Sequence, residues 1–199
     1  MDTLADDGWV VIDGLLPSGL PAALLDSARH AWHAGHFREA AVGHGTGKVH
    51  NPAIRSDAIL WIESGTACPA RQWFLEWADT MQRRLNEQLF LGLNNAEFHF
   101  ARYPAGGGYR RHLDQHRGQP NRRVSLVLYL NPEWQPTDGG ELVVYCPHNP
   151  EREIHRVVPQ AGRLALFRSD IIWHAVQPAR QPRWSLTGWF RTDHQVVGL

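Results

Sequence analysis

The chain has 199 residues with 20 basic and 20 acidic side chains, so its formal net charge is zero. This balance argues against a nucleic-acid or membrane partner bound by bulk charge, and no apolar run is long enough to cross a bilayer. With no secretory leader, the expected location is the cytoplasm. The only cysteines, Cys68 and Cys146, form no CxxC pattern, which argues against a disulfide framework or a thiolate zinc site. The length predicts a single domain over residues 1–199.

Residues 1–95 predict two helices that support a β domain. The segment 16–35 has Ser18 as its predicted cap and Gly35 as its predicted end. The segment 68–92 is the stronger helix, because large apolar side chains recur every four residues and would share one face. These side chains, interpreted as core, are Trp73, Trp77, Met81, Leu85 and Leu89.

From residue 96 onward the pattern changes to short, often alternating segments that are separated by turn signals such as PTDGGE (136–141). Eight such segments cover residues 96–193. Two shorter strand candidates precede them at 8–13 and 58–63. No helical segments alternate with these strands, which excludes a parallel sheet. The predicted fold is therefore mainly β, a double-stranded β-helix (jelly roll) buttressed by the N-terminal α-helices.

The segment 36–53 is rich in glycine and histidine and has little apolar content. This composition predicts a loop. A loop of this kind is a candidate lid over a substrate, and plain flexibility is the alternative.

The stretch YRRHLDQH (109–116) places His112 and Asp114 two positions apart, and such residues share one face of a strand. A lone His-x-Asp pair is a weak signal, because a surface strand can carry one. Of the later histidines, His155 suits the strand periodicity, and His174 stands out within the apolar run IIWHAVQP. A buried imidazole needs a partner, which a metal or an ordinary core hydrogen bond would provide. Two histidines and one carboxylate on one face are typical of non-haem Fe(II) oxygenases.

Arg183 opens the last predicted strand, where Ser185, Thr187 and Trp189 share its face. A basic residue among aromatic neighbours is costly unless it meets an anion. A guanidinium binds a carboxylate through two parallel hydrogen bonds, so Arg183 is a candidate carboxylate ligand. A structural salt bridge, or an exposed strand end beside Pro182, is the alternative.

Taken in order, the HxD pair, the later histidine and the arginine nine residues after it resemble the Fe(II)- and 2-oxoglutarate-dependent dioxygenases. The resemblance is closer to their prolyl 4-hydroxylase branch, especially the hypoxia-inducible-factor type prolyl hydroxylases and their bacterial relatives. It spans roughly residues 50–193. The stretches that carry it are IRSDAILWIE (54–63), YPAGGGYRRHLD (103–114), LYLNPEW (128–134), DGGEL (138–142) and HAVQPARQPRWSLTGWF (174–190). Segments 115–123 and 146–156, which flank the predicted site mouth, have no clear counterpart.

The resemblance implies an iron site and a 2-oxoglutarate pocket. Fe(II) would be held by His112, Asp114 and His174. Arg183 would bind the distal carboxylate of 2-oxoglutarate. The residues completing that pocket would be Tyr129, which helps at the carboxylate, Tyr103, Thr187 and Trp189.

The resemblance also implies a salt bridge between Asp57 and Arg122, which would tie the mobile loop to the barrel. Two unrelated surface charges are the alternative. From the residues alone, Tyr103 and Tyr129 are as readily explained as core aromatics with satisfied hydroxyls.

The implied activity is hydroxylation of a prolyl residue, at the 4-position, in a protein substrate. The co-substrates are 2-oxoglutarate and O2, the co-products are succinate and carbon dioxide, and ascorbate is a candidate reductant. For a bacterial chain, a translation factor such as elongation factor Tu is a reasonable target. The same architecture also serves lysyl, free amino-acid and small-molecule substrates.

Two interpretations from other classes remain. A hydrolase or isomerase on a cupin-like barrel could hold zinc with the same three ligands and an activated water. That interpretation leaves Arg183 unexplained and lacks an evident general base. A non-catalytic jelly-roll module, sensing oxygen or a metabolite, is the other.

Overall fold

The structure is a computed structural model that describes residues 2–40, 51–115 and 120–193. Its helices are α1 (Asp2–Asp6), α2 (Leu20–His33) and α3 (Pro69–Leu89), with a 3₁₀ turn at Pro136–Asp138. Its strands are β1 (Trp9–Ile12), β2 (Arg38–Glu39), β3 (Ala58–Ile62), β4 (Asn95–Tyr103), β5 (Tyr109–His112), β6 (Arg122–Tyr129), β7 (Leu142–Cys146), β8 (Asn149–Val157), β9 (Leu164–Arg168), β10 (His174–Val176) and β11 (Arg183–Arg191). None of the described helices combines the length and the apolar character needed to span a membrane.

The strands form two sheets. A seven-stranded sheet has the order β1-β9-β6-β11-β4-β3-β2, and a four-stranded sheet has the order β5-β10-β7-β8. Neighbouring strands in both sheets are antiparallel. All eight segments predicted from residue 96 onward form strands, β4 to β11, and the double-stranded β-helix prediction is confirmed.

Two apolar clusters flank the seven-stranded sheet. On one face α2 and α3 pack against side chains such as Phe98, Leu126 and Phe190. On the other face residues such as Val127 meet side chains of the four-stranded sheet, including Val144. Because the strand side chains alternate between the faces, one face builds the core beneath the helices and the other is available for a site between the sheets.

The ends of the predicted helices shift. Ser18 does not cap α2, because residues 17–20 form a turn and Gly19, in the left-handed region at φ 83°, takes the cap position. Gly35 follows the end of α2, as predicted, with φ 72°. In α3 the chain leaves the helix at Phe90, which adopts φ 52°, before Gly92 is reached.

The predicted core face of α3 is confirmed at Met81 and Leu85, which are buried, and partly at Trp77 and Leu89, which pack against the core, but it is wrong at Trp73. Trp73 is 40% exposed, whereas the buried residues are Phe74, Ala78, Met81 and Leu85. Phe74 packs edge-on against Phe98 of the sheet, with ring centroids 5.1 Å apart. The four-residue spacing found the correct half of the helix but could not choose between the adjacent residues Trp73 and Phe74.

The two segments without a family counterpart and the predicted lid have different outcomes. Within 36–53, residues Arg38–Glu39 form β2, which pairs with β3, so the loop prediction is wrong there. Residues 36, 37, 40 and 51–53 of the predicted lid lie outside helices and strands, as expected of a loop, and residues 41–50 and 116–119 lie outside the described residues. Most of 146–156 forms β8 at the edge of the smaller sheet. The extent of a single domain over residues 1–199 stays a prediction.

The packing of α3 yields a test of the fold. We expect Phe74→Ala to lower the free energy of unfolding by about 3–5 kcal/mol, because it removes a fully buried ring and leaves a cavity. Trp73→Ala is the matched control on the neighbouring position and should cost far less. Chemical denaturation of both variants measures the difference, and equal losses would contradict this assignment of the buried face.

Candidate metal centre and adjoining cavity

Strand pairing brings the predicted triad together. In the ladder between β5 and β10, His174 lies directly opposite His112. Asp114 Oδ1 is 3.5 Å from His112 Nε2 and 3.7 Å from His174 Nε2. One ligand atom from each of the three residues lies within 4.8 Å of the other two. Asp114 follows the end of β5 in a bend, so the convergence depends on this bend rather than on strand alternation.

Backbone carbonyls orient both imidazoles. His112 Nδ1 is 2.8 Å from the carbonyl of Arg110, and His174 Nδ1 is 3.1 Å from the carbonyl of Ile172. A carbonyl only accepts, so each Nδ1 donates its hydrogen, and each Nε2 lone pair is left to face Asp114.

The protonation states suit a divalent cation. Burial, together with the neighbouring His112, lowers the pKa of His174 to about 4, so this imidazole is neutral at pH 7. Burial alone would raise the pKa of Asp114, but the two histidines and a hydrogen bond from Ser125 outweigh it and hold that pKa well below its usual range. A neutral imidazole at His174 and an ionised carboxylate at Asp114 are suitable donors for a non-haem Fe(II) centre.

A cavity of about 190 Å³ adjoins the triad between the sheets. The four β11 residues predicted to share a face all line it: Arg183, Ser185, Thr187 and Trp189. Tyr103 on β4 lines it as well. Tyr129 is fully buried, and its ring centroid is 5.1 Å from the guanidinium carbon of Arg183. The predicted pocket residues other than Tyr129 therefore line one cavity, Tyr129 lies beside Arg183, and the individual roles of all of them remain predictions.

At one end of the cavity, Arg183 is a buried cation with unused hydrogen-bonding capacity. The residue is only 1% exposed, and its Nε donates to the carbonyl of Gly140 at 2.9 Å. Nη2 has no hydrogen-bond partner among the described residues, and Arg183 makes no salt bridge with them. The structural salt bridge considered from the sequence is therefore absent from the described part of the chain.

Tyr129 places a second unused polar atom beside Arg183. Its buried hydroxyl has no hydrogen-bond partner among the residues that the structure describes. Burial raises its pKa to about 12, so the phenol keeps its hydrogen at neutral pH and can donate. A buried guanidinium and a phenol without partners fit the carboxylate of a bound ligand.

The predicted salt bridge between Asp57 and Arg122 is wrong. Asp57 is paired through both oxygens with Arg55, at 2.6 and 2.8 Å. Arg122 instead donates to Glu97 at 3.0 Å and stacks on Trp189, with its guanidinium carbon 3.4 Å from the ring centroid. Asp57 is taken by the arginine two residues before it, and Arg122 on β6 reaches Glu97 on β4, with β11 between the two strands.

The sequence reasoning missed His99 and Trp61 at the opposite end of the cavity. His99 is buried, its Nδ1 has no partner among the described residues, and its ring lies 4.8 Å from Trp61 and 5.5 Å from Trp189. Burial, together with the charge of Arg55, lowers the pKa of His99 to about 3. The sequence could have indicated His99, because it lies four residues before Tyr103 on β4 and therefore on the same face of the strand.

Of the other histidines downstream of Asp114, the two that the structure describes do not join the centre. His148 is exposed, and His155, also exposed, stacks on Trp9 with ring centroids 4.8 Å apart. His116 and His194 lie outside the described residues.

Comparison with known proteins agrees with this geometry. The family model of the 2OG-Fe(II) oxygenase superfamily matches residues 98–191. A crystal structure of a prolyl-4-hydroxylase from Pseudomonas putida is 42% identical, with a TM-score of 0.85 and 96% of each chain covered. A prolyl hydroxylase in complex with a hypoxia inducible factor peptide fragment from Trichoplax adhaerens is 29% identical, with a TM-score of 0.85, covering 96% of this chain and 86% of that one.

Egl nine homolog 1 from Homo sapiens is 31% identical over 142 residues, which cover 69% of this chain and 33% of that protein. The match thus spans about a third of the length of this curated relative.

The chain belongs to the 2OG-Fe(II) oxygenase superfamily. It is an oxidoreductase of the dioxygenase type, and its cofactors are Fe(II) and the co-substrates 2-oxoglutarate and O2. The residues present fit these groups, because the triad supplies the iron donor set and Arg183 supplies an unpaired cation for a dicarboxylate.

The buried imidazole of His99 makes stability depend on pH. Its pKa is about 3 in the folded chain and about 6.5 when unfolded, so between these values the unfolded state binds more protons and acid destabilises the fold. We expect His99→Leu to reduce the slope of unfolding free energy against pH between pH 6.5 and 5 by up to about 1.4 kcal/mol per pH unit.

Denaturant titrations of the metal-free protein across this range measure that slope, and titrations at pH 8 give the baseline difference between the two proteins. An unchanged slope in His99→Leu would contradict the assignment of a neutral, buried imidazole.

Proposed function

We propose that the protein hydroxylates a prolyl residue, at the 4-position, in a protein substrate, while 2-oxoglutarate is converted to succinate and carbon dioxide. The observation that carries this proposal is the buried Arg183, which has no ion-pair partner in the described part of the chain and lines the same cavity as the converging His112, Asp114 and His174. The similar proteins named as prolyl hydroxylases, one of them in complex with a peptide, support the substrate class.

The protein contributes by binding and orienting the reactants. His112, Asp114 and His174 would hold Fe(II) from one side, which leaves other coordination positions for exogenous ligands. Bound iron, with 2-oxoglutarate and O2, supplies the oxidising chemistry that places a hydroxyl on the target carbon. Arg183 and Tyr129 would fix one carboxylate of 2-oxoglutarate, and burial of this end of the cavity strengthens that interaction by excluding water.

The far end of the cavity is suited to the substrate. Arg183 and Trp189 are six residues apart on β11, or roughly 20 Å of extended strand, which is longer than a five-carbon diacid. A ligand held at Arg183 therefore leaves the end lined by Trp61, His99 and Trp189 free. This spacing favours contact between Trp189 and the substrate. The earlier prediction that Trp189 lines the 2-oxoglutarate pocket stays a prediction.

The chemistry of that end matches a prolyl residue. Its aromatic faces suit an apolar pyrrolidine ring, and a prolyl nitrogen carries no hydrogen to donate. The neighbouring peptide carbonyls accept hydrogen bonds, and Trp189 Nε1 is a buried donor without a partner among the described residues.

The alternatives from other classes account for less of the site. A zinc hydrolase would use the triad but gives no role to the buried Arg183. A non-catalytic sensor would not require an intact donor set with both imidazoles held in the metal-binding tautomer. Cytoplasmic location, ascorbate as the reductant and a target such as elongation factor Tu remain part of the proposal.

Cofactor binding tests the centre directly. Under argon, we expect Fe(II) and 2-oxoglutarate added to metal-free protein to give a weak visible charge-transfer band. His174→Ala should abolish the band because it removes a ligand, and Arg183→Ala should require much more 2-oxoglutarate because it removes the carboxylate partner. Absorption titrations measure both effects, and tight zinc binding with no such band would favour the hydrolase.

Substrate class requires a separate experiment. We expect a proline-bearing protein or peptide substrate to increase succinate formation and to gain one oxygen atom, whereas the same substrate with the target proline changed to alanine should do neither. Trp61→Ala should raise the KM for the substrate several-fold, because Trp61 lines the far end of the cavity, and leave the affinity for 2-oxoglutarate near wild type.

Mass spectrometry and a succinate assay read out the two expectations. Oxygen incorporation into the alanine substrate, or into a lysyl residue instead, would overturn the prolyl assignment while leaving the oxygenase class intact.

A further inference from the structure

Two buried serines stand behind the carboxylate of the metal centre. Ser125 Oγ is 2.6 Å from Asp114 Oδ2, and Ser125 Oγ is also 2.9 Å from Ser169 Oγ. Both serines are completely buried, Ser125 on β6 and Ser169 just after β9. The carboxylate oxygen that faces the histidines is the other one, Oδ1.

The direction of these hydrogen bonds follows from counting hydrogens. Ser125 Oγ donates its single hydroxyl hydrogen to Asp114 Oδ2. Ser169 must then donate its own hydrogen to Ser125. The pair thus forms a one-way chain that ends on Asp114, with every hydroxyl hydrogen in use.

Backbone hydrogen bonds connect Ser169 both to β6 and to the bend that carries Asp114. Its backbone N–H donates to the carbonyl of Arg123 at 3.1 Å, and its carbonyl accepts from the N–H of Gln115 at 3.0 Å. Gln115 directly follows Asp114, so Ser169 holds the bend that carries the carboxylate as well as the hydroxyl chain behind it. The serines are therefore built into the framework of the centre.

We propose that the Ser125–Ser169 pair positions Asp114 so that it binds the metal as a monodentate ligand. Oδ2 is occupied by a hydrogen bond, so Oδ1 alone is presented to the metal. This inference rests on the metal centre of the proposed function and adds residues outside the triad to it.

The consequence concerns the number of open coordination positions. A carboxylate can bind a metal through one oxygen or through both. A second bond from Asp114 would occupy one of the coordination positions that a bidentate co-substrate and O2 would otherwise fill. By keeping Oδ2 engaged, the serines preserve that position for the reaction.

The test uses Co(II) alone as a spectroscopic probe of the metal-free full chain. We expect Ser125→Ala to weaken Co(II) binding by about 10- to 100-fold, as loss of such an outer hydrogen bond typically does, and to change the visible band shape through a changed coordination number. Ser169→Ala should have a smaller effect, because Ser125 keeps its own bond to Oδ2. Ser125→Thr retains the hydroxyl and should restore the wild-type band shape.

Ser27→Ala is the matched control, since Ser27 hydrogen-bonds Cys68 and Arg71 away from the centre and its loss should leave Co(II) binding unchanged. Circular dichroism of each variant separates unfolding from a local effect. Wild-type affinity and band shape in folded Ser125→Ala and Ser169→Ala would overturn the inference while leaving the proposed function standing. A wild-type protein that binds no Co(II) would overturn the metal centre, and this inference with it.

Discussion

The register between β5 and β10 is the constraint on which the metal centre depends. β10 has three residues and is held on both sides, with His174 opposite His112 of β5 and opposite Val144 of β7. A slip of one residue would turn the imidazole to the other face of the sheet, because side chains alternate along a strand. The Nδ1 of each of these two histidines also hydrogen-bonds the backbone carbonyl two residues before it. Local backbone geometry therefore sets the tautomer, and the strand register directs each Nε2 towards Asp114.

Charge compensation distinguishes the arginines that line the cavity. Arg55 is paired with Asp57, and Arg122 is paired with Glu97, so neither has a free charge to offer a ligand. Arg183 has no such carboxylate among the described residues and retains an unused N–H. The protein thereby reserves one cation for an incoming anion while the others hold the walls of the cavity together. This difference, rather than the mere presence of arginine, is why Arg183 is the arginine proposed to bind a carboxylate of 2-oxoglutarate.

The sequence predicted features that depend on local pattern, and it failed where distant pairings decide. Alternation found β4 to β11, and the isolated histidine in an apolar run identified His174. Spacing could not tell that Phe74 rather than Trp73 faces the sheet, nor that Arg122 on β6 pairs with Glu97 on β4, with β11 between them. Buried serines such as Ser125 carry no sequence signal, because a serine in a strand is equally at home facing water. Such residues acquire their role only when strands far apart in the chain meet.

The unpaired guanidinium of Arg183 also has a consequence for the lifetime of the protein. Burying a cation without an anion costs stability, so the ligand that neutralises Arg183 stabilises the folded state as well as preparing it for reaction. A ligand present at a hundred times its dissociation constant adds about 2.7 kcal/mol to the free energy of unfolding. Proteases act on the unfolded population, so a chain with a bound dicarboxylate at Arg183 would resist proteolysis better than the ligand-free chain.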